Sequence, residues 1–267
     1  MKSFWSRWAV PSNATLVVVG DVTRAELQPK LEQAFGGWKG TAAPELRIPA
    51  VSQHGKRTIY LVNKKGAAQS VIVCGHVGAA RGTSDYAAIE AVNNVLGGNA
   101  SARLFMNLRE DKGYTYGAYS RFDYQKAPGA FLAYASVATN VTAPAVQEFV
   151  KEIEGIAGQK PVTEEELKLT RNDLVNGYAR QFETPGQIAG MLTEAALYGL
   201  PDDALEVFPV KVGRLSLDQA RDIAAKYIHP DRLAIVVVGD REAVLPALEK
   251  LDIGPVVELD KEGNPLK

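Results

Sequence analysis

WAVPSNATLVVVGD, residues 8–21, returns as YIHPDRLAIVVVGD at 227–240. Pro11 answers Pro230, Gly20 answers Gly239 and Asp21 answers Asp240, each pair 219 residues apart, and six of the fourteen aligned positions are identical. A proline turn, three consecutive valines and a Gly-Asp end read as a short apolar strand leading into a helix. The residues that follow agree. Thr23 and Glu26 have capping-box spacing ahead of a helical pattern running to Phe35, and 241–251 is helical as well. A repeat this long is a domain-sized copy rather than a solenoid unit. The sequence therefore predicts a complete domain over 49–267, preceded over 1–48 by the tail of a homologous one. That tail is expected to hold a final strand, centred on residues 17–19, and a final helix. By the offset, roughly 160–170 residues of the first copy lie outside this chain.

Within the complete copy, alternation of apolar residues predicts strands at 57–63 and 69–77. Ser84 or Asp85 can cap a helix running to Leu96, where Gly97-Gly98-Asn99 stops it. A short helix follows at 101–110, then a strand pair at 114–124 and 130–137 around the Pro128-Gly129 turn. Helices come next: an amphipathic one at 143–158, a long region from the Thr163/Glu166 capping box to Gly199 broken near Pro185, and one from the Ser216/Gln219 cap to Tyr227. The repeated strand and helix close the copy. Strands in hairpin-like runs and helices in runs make the class α+β, a mainly antiparallel sheet with helices packed on one face.

Composition narrows the function. With 267 residues the length prior is about 1.8 domains, and 46% hydrophobic with 23% charged residues is ordinary for a folded chain. Lys plus Arg is 30 and Asp plus Glu is 31, net −1, without the basic excess that nucleic acid or an anionic membrane surface demands. The single cysteine, Cys74, excludes an internal disulfide, a CxxC zinc site and an iron–sulfur cluster, and suits a reducing or an oxidising compartment. Apolar stretches such as 16–19 and 234–238 are strand-sized, far short of a membrane span. The start, MKSFWSRW, has no apolar segment behind its charge, so it does not read as a signal peptide, and localisation stays open.

The usual chemical signatures are missing. His54, His76 and His229 are far apart in sequence, with no HExxH and no HxxEH. Each reads as a surface histidine or one satisfied within the core. Cys74 and His76 share a strand face without a common target, so Cys74 reads as a buried structural residue. There is no GxSxG elbow, and Gly97-Gly98 follows a helix rather than a strand, so it is no phosphate loop. Three Asn-x-Thr/Ser triplets, at Asn13, Asn99 and Asn140, fit a glycosylation pattern too short to be specific.

The strongest local signal is NVLGGNASARLFMNLREDKGYTYGAYS, residues 94–120. A Gly-Gly stop, a short helix carrying Arg103 and Arg109, and a Tyr-rich strand follow in immediate succession. Arg109 offers a planar fork for carbonyl or carboxylate oxygens, and a tyrosine hydroxyl can donate to a developing oxyanion. Tyr114 and Tyr116 alternate about Thr115 and so should share a face. From spacing alone two readings stand: a functional Arg/Tyr pair, or Arg109 paired with Glu110 or Asp111 beside tyrosines that pack the sheet.

The run Leu96-Gly-Gly, Ser101-Ala-Arg103-Leu and Leu108-Arg109-Glu-Asp-Lys-Gly113-Tyr114-Thr-Tyr116 resembles the second, non-zinc-binding domain of the M16 metallopeptidases. That family includes pitrilysin, insulin-degrading enzyme and the mitochondrial processing peptidase. The resemblance covers nearly the whole chain, and the Pro-Ser-Asn-Ala-Thr-Leu-Val-Val-Val-Gly-Asp ending of the first copy fits it. It implies two homologous domains closing as a clamshell. The first binds zinc through HxxEH and a downstream Glu; the second binds no metal and supplies an Arg and a Tyr to the substrate backbone and the tetrahedral intermediate. Those roles fall on Arg109 and Tyr116. Tyr114 carries none and is assigned to packing. The resemblance further implies no cofactor in this chain, zinc in a missing or partner domain, a zinc-bearing domain or subunit as partner, and a peptide substrate. The family also holds non-catalytic core subunits, so a structural or interaction subunit without protease activity is the alternative.

Overall fold

A computed structural model describes residues 1–266. In chain order the helices are α1 (Lys2–Trp8), α2 (Arg24–Phe35), α3 (Tyr86–Asn93), α4 (Arg103–Phe105), α5 (Thr142–Ala157), α6 (Glu164–Tyr178), α7 (Pro185–Tyr198), α8 (Ala204–Arg214), α9 (Leu217–Tyr227) and α10 (Arg241–Glu249). The strands are β1 (Thr58–Asn63), β2 (Gln69–Val77), β3 (Thr115–Asp123), β4 (Ala130–Ala138), β5 (Ala234–Gly239) and β6 (Val256–Leu259). The chain divides into two compact units, one of residues 1–49 with 177–206, the other of 50–176 with 207 onward.

The larger unit holds a six-stranded sheet ordered β3-β4-β2-β5-β1-β6. Its β3–β4, β4–β2 and β2–β5 pairs are antiparallel, and β5–β1 and β1–β6 are parallel. The class is α+β, with antiparallel pairs predominating. Period-two alternation sorts the side chains. One row across the sheet is Leu61, Val237, Ile72, Ala135 and Ala118, all buried. These meet Phe149 and Ile153 of α5, Ile89 of α3 and Val244 of α10 in one core. Each fully buried Val, Ile, Leu or Phe contributes about 1.5–3 kcal/mol, so this layer holds the fold together. On the opposite face the matching row is Tyr60, Val236, Val73, Tyr134 and Tyr119, all only half-buried.

The smaller unit contains α1, a 3-10 turn over Pro11–Asn13, α2 and α7. Thr23 and Glu26 close the capping box of α2 in both directions. Thr184 and Gln187 do the same for α7, which ends on Gly199 in the left-handed conformation at φ 62°. The strand expected at 16–19 is absent: these residues form irregular chain. Strand geometry requires a neighbouring backbone, and none pairs with this stretch among the described residues.

Other boundaries shift for identifiable reasons. The helix expected from 84 or 85 to 96 ends at Asn93 and continues as a π turn over Asn94–Gly98, because Gly97 leaves helical geometry. Asp85 stands at its N-cap position but caps nothing; its carboxylate takes Lys226 Nζ at 2.7 Å and Tyr227 Oη at 2.8 Å. The helix expected at 101–110 is α4 followed by a π turn over Met106–Asp111. Helices α1 and α8 and strand β6 are additions. Strand β6 has only four residues, with no length of alternation to announce it, and exists by pairing with β1.

Candidate functional site

Arg103 and Arg109 lie six residues apart and play different parts. Arg103 is half-buried and spent on the chain itself. Its guanidinium forks onto Glu166, Nε to Oε1 at 2.6 Å and Nη2 to Oε2 at 2.7 Å, and also donates to the carbonyls of Lys160 and Pro161. Burial raises the Glu166 pKa, but the Arg103 and Thr163 hydrogen bonds outweigh it, and the carboxyl ends below the usual carboxylate range. Arg109 lies on the π turn with its side chain 47% exposed, stacked 4.8 Å above the Phe105 ring and 3.6 Å from Glu110 Oε1. An exposed pair of that length is worth less than about 1 kcal/mol and releases the guanidinium readily.

Gly113, at φ 64°, ends the π turn in a conformation that resists a side chain and turns the chain into β3. There the pairing with β4 slips between Thr115 and Ala118. Thr115 Oγ1 holds this bulge, donating toward the Ser136 and Gly117 carbonyls and accepting from Gly117 N–H at 3.1 Å. The bulge separates the two tyrosines that alternation had put on one face. Tyr114 packs against the core, as its assignment to packing requires. Tyr116 is pushed out, 90% exposed, and its hydroxyl makes no hydrogen bond among the described residues.

Tyr116 borders a depression of about 580 Å³ on the open sheet face, floored by Val71, Val73, Tyr119, Leu132 and Tyr134. Arg121 is on its wall, forked onto Asp123 and 5.2 Å over the Tyr134 ring. Arg109 is not among the lining residues; it reaches the depression through Phe105, whose ring lies 5.7 Å from Tyr119. A second depression of about 500 Å³ adjoins the first, sharing Val73 and Leu132. It is bordered by His54, whose Nε2 meets Tyr60 Oη at 2.8 Å and whose Nδ1 is buried without a partner. Tyr119, Tyr134 and Arg121 escaped the sequence reading, and His54, read there as a surface or core-satisfied histidine, borders the second depression. The signal for the tyrosines was their in-register pairing across β3 and β4, which a single strand does not display.

His76 and His229, distant in sequence, are in contact, with ring centroids 5.1 Å apart. The His229 backbone N–H donates to His76 Nε2 at 3.2 Å, and His76 Nδ1 donates to the Val77 carbonyl at 2.9 Å. Both ring nitrogens are therefore committed, the proton sits on Nδ1, and burial holds the pKa down at about 4. No cluster of three or more His, Cys, Asp or Glu side chains suited to a metal exists among the described residues, and His76 has no lone pair to spare. The donors among the described residues are not gathered as a zinc ion requires. Cys74 is fully buried and its thiol is pushed up to about 12, which leaves it inert as a nucleophile. No helix among the described residues is long and apolar enough to cross a membrane.

A family model described as the peptidase M16 inactive domain matches residues 1–174. Zinc protease PqqE of Helicobacter pylori is 27% identical over 222 residues, which are 80% of this chain and 50% of that protein. An uncharacterized zinc protease of Mycobacterium leprae is 26% identical over 179 residues, 66% of this chain and 40% of that protein. The chain thus spans half or less of the length of these relatives. Among solved structures, a peptidase M16 inactive domain from Pseudomonas fluorescens has a TM-score of 0.75 at 24% identity, covering 83% of this chain and 52% of its own. A protease from Helicobacter pylori has a TM-score of 0.80 at 21% identity, covering 89% and 58%. At these identities the two structures speak for the fold.

Proposed function

The chain belongs to the peptidase M16 inactive-domain family, and from that premise we propose that it is the metal-free half of a zinc-dependent endopeptidase. In this reading Arg109 and Tyr116 act on a peptide hydrolysed at a zinc held by a second domain or subunit. Two things support a second half: the curated relatives are named zinc proteases, and they run to about twice the length of chain matched here.

When water adds to a peptide carbonyl, negative charge collects on the oxygen. A hydroxyl preset toward that oxygen stabilises the transition state more than the ground state. Tyr116 has such a hydroxyl, without a partner, on a bulge that Thr115 holds in place. Arg109 can exchange its weak Glu110 contact for a backbone carbonyl of the bound peptide. The floor of Val71, Val73, Tyr119 and Tyr134 offers apolar and aromatic surface to side chains of an extended chain. Lowering the pKa of the attacking water is left to the metal of the other half.

The observation that carries the reading is the exposure of Tyr116. An aromatic ring almost wholly in water, with an unused hydroxyl, at the rim of an apolar depression supports a ligand-facing role over a packing one. The test is turnover of a peptide by this chain together with its zinc-bearing half. Tyr116→Phe should lower kcat roughly 10–1000-fold with KM little changed. Arg109→Ala should lower kcat/KM. Unchanged turnover in both variants removes the two residues from the reaction and returns the chain to a structural or interaction role.

A further inference from the structure

Arg109 is carried by a π turn, and a π turn needs something to hold it. It takes one residue more than an α-helical turn, is rare, and is frequent at functional sites. Its backbone closes with Lys112 N–H on the Asn107 carbonyl at 3.0 Å, Gly113 N–H on the Arg109 carbonyl at 3.1 Å and Tyr114 N–H on the Leu108 carbonyl at 2.8 Å. Met106, Arg109, Glu110 and Asp111 are exposed, while Asn107 and Leu108 are buried. Leu108 enters the apolar core.

Asn107 is fixed differently. Its amide nitrogen has two hydrogens and two acceptors, both carboxylates of α5: Nδ2 lies 2.8 Å from Glu148 Oε2 and 2.6 Å from Glu152 Oε1. The two glutamates are four residues apart and so share a face of that helix. Glu148 also reaches the far end of the turn, with Oε1 3.8 Å from Lys112 Nζ, and its Oε2 accepts from Lys151 Nζ at 2.9 Å. Helix α5 is itself seated in the core by Phe149 and Ile153, both fully buried. The turn is thus tied to a rigid element on each side of Arg109.

Stability does not account for this cluster. Asn107 and Glu152 are each only 9% exposed, and Asn107 Oδ1 is buried without a hydrogen-bond partner among the described residues. A desolvated carboxylate and an orphaned amide oxygen cost more than such hydrogen bonds return, and apolar residues of the same volume are often as stable or more so. What the cluster supplies is orientation. With a carboxylate on each Nδ2 hydrogen the amide cannot turn over, because a flip would set Oδ1 against both carboxylates.

We propose that Asn107, held by Glu148 and Glu152, is a positioning residue for Arg109. It fixes the backbone beneath the guanidinium, so that Arg109 exchanges Glu110 for a peptide carbonyl without the turn having to be ordered on binding. The inference rests on the role given to Arg109 above and adds what aims it.

The test variant is Asn107→Leu/Glu152→Leu, which removes the donor and its buried acceptor together and keeps the volume. In the chain alone it should melt at or above the parent's temperature. Amide exchange at Lys112 and Gly113 should speed up on the order of 10-fold or more, while 71–75 of β2 stays as protected as before. In the chain assembled with its zinc-bearing half and given a peptide, the double variant should lower kcat/KM roughly 10–100-fold. The same two changes made on top of Arg109→Ala should cost nothing further, since the residue they position is gone. Glu152→Gln, whose amide oxygen still accepts from Asn107, should keep turnover near the parent's.

A lowered melting temperature, unchanged exchange at 112–113, full turnover of the double variant, a further loss on top of Arg109→Ala or a failure of Glu152→Gln to retain turnover each overturns the inference. The protease reading stands through all of these as long as Arg109→Ala alone is impaired. Parental turnover in Arg109→Ala takes Arg109 out of the reaction and this inference with it, and leaves Tyr116→Phe to decide the protease reading.

Discussion

LVVVGD at 16–21 and IVVVGD at 235–240 differ by one methyl position, yet the first is irregular chain in water and the second is the inner strand of a six-stranded sheet. The turns before them and the helices after them form in both places. The difference lies in where the hydrogen-bond partners come from. A 3-10 turn and a capped helix bond within three or four residues, so the same sequence makes them wherever it stands. A strand must borrow a ladder from distant chain, and each ladder bond contributes only about 0.5–1.5 kcal/mol net. For β5 that ladder is β1 and β2, and burial of Ile235 and Val237 adds about 1.5–3 kcal/mol each. Three consecutive valines carry strand propensity in both copies, and propensity alone does not build a strand.

The comparison breaks most easily at its centre. Val237→Asp puts a charge into the core and should cost more than about 4 kcal/mol, enough to unfold the larger unit, whereas Val18→Asp at the aligned position should stay within about 0.5 kcal/mol of the parent. Urea unfolding of the two variants decides this. Equal losses would mean that the tail is as buried as β5.

A smaller effect comes from the turn leading into β5. The neutral ring of His76 holds the His229 N–H there, and the aligned residue in the tail is Val10, with no such bond. Burial lowers the His76 pKa from 6.5 to about 4, with the Val77 carbonyl opposing and His229 assisting; Asp231 opposes through its charge. The unfolded state then binds more protons than the native state between those values, so stability rises with pH. The contribution is complete above about 6.5 and is lost as pH falls toward 4, by about 3 kcal/mol in all. His76→Phe keeps the stacking on Phe131 and removes the titration, and should flatten the unfolding free energy over that window. A slope that persists in this variant assigns the acid sensitivity to another group.

The smallest contrast is at the last aligned residue. Asp240 accepts from Glu242 N–H at 3.2 Å and from Gly66 N–H at 2.9 Å, joining α10 to the loop between β1 and β2. Asp21 makes no hydrogen bond among the described residues. Asp240→Ala should cost about 1 kcal/mol and Asp21→Ala nothing measurable. Thermal melts of the two single variants resolve the difference.

The α+β class was legible because alternation at 69–77 and helical periodicity at 143–158 are strong and long, and both elements stand where the pattern predicts, β2 on the same residues and α5 within one residue at each end. The Arg109-to-Tyr116 spacing marked the right segment of chain. Alternation misjudged the tyrosines, since a bulge depends on how Thr115 bonds to β4 and not on its neighbours in sequence. Arg103 lies in the same segment, and only the fold shows its guanidinium taken by Glu166, from the capping box of α6. The contact of His76 with His229 needed β2 and the turn before β5 to be brought together.

By itself the sequence determined what is settled within a few residues: the capping boxes at Thr23 and Ser216, the proline-led turns, the left-handed stop at Gly199 and the repeat that relates the two ends of the chain. Only the tertiary structure decided which valine run became a strand, which tyrosine reached solvent and which arginine stayed exposed. Those outcomes depend on hydrogen-bond partners and buried surface supplied from far along the chain, and a one-dimensional pattern does not say which distant groups will arrive.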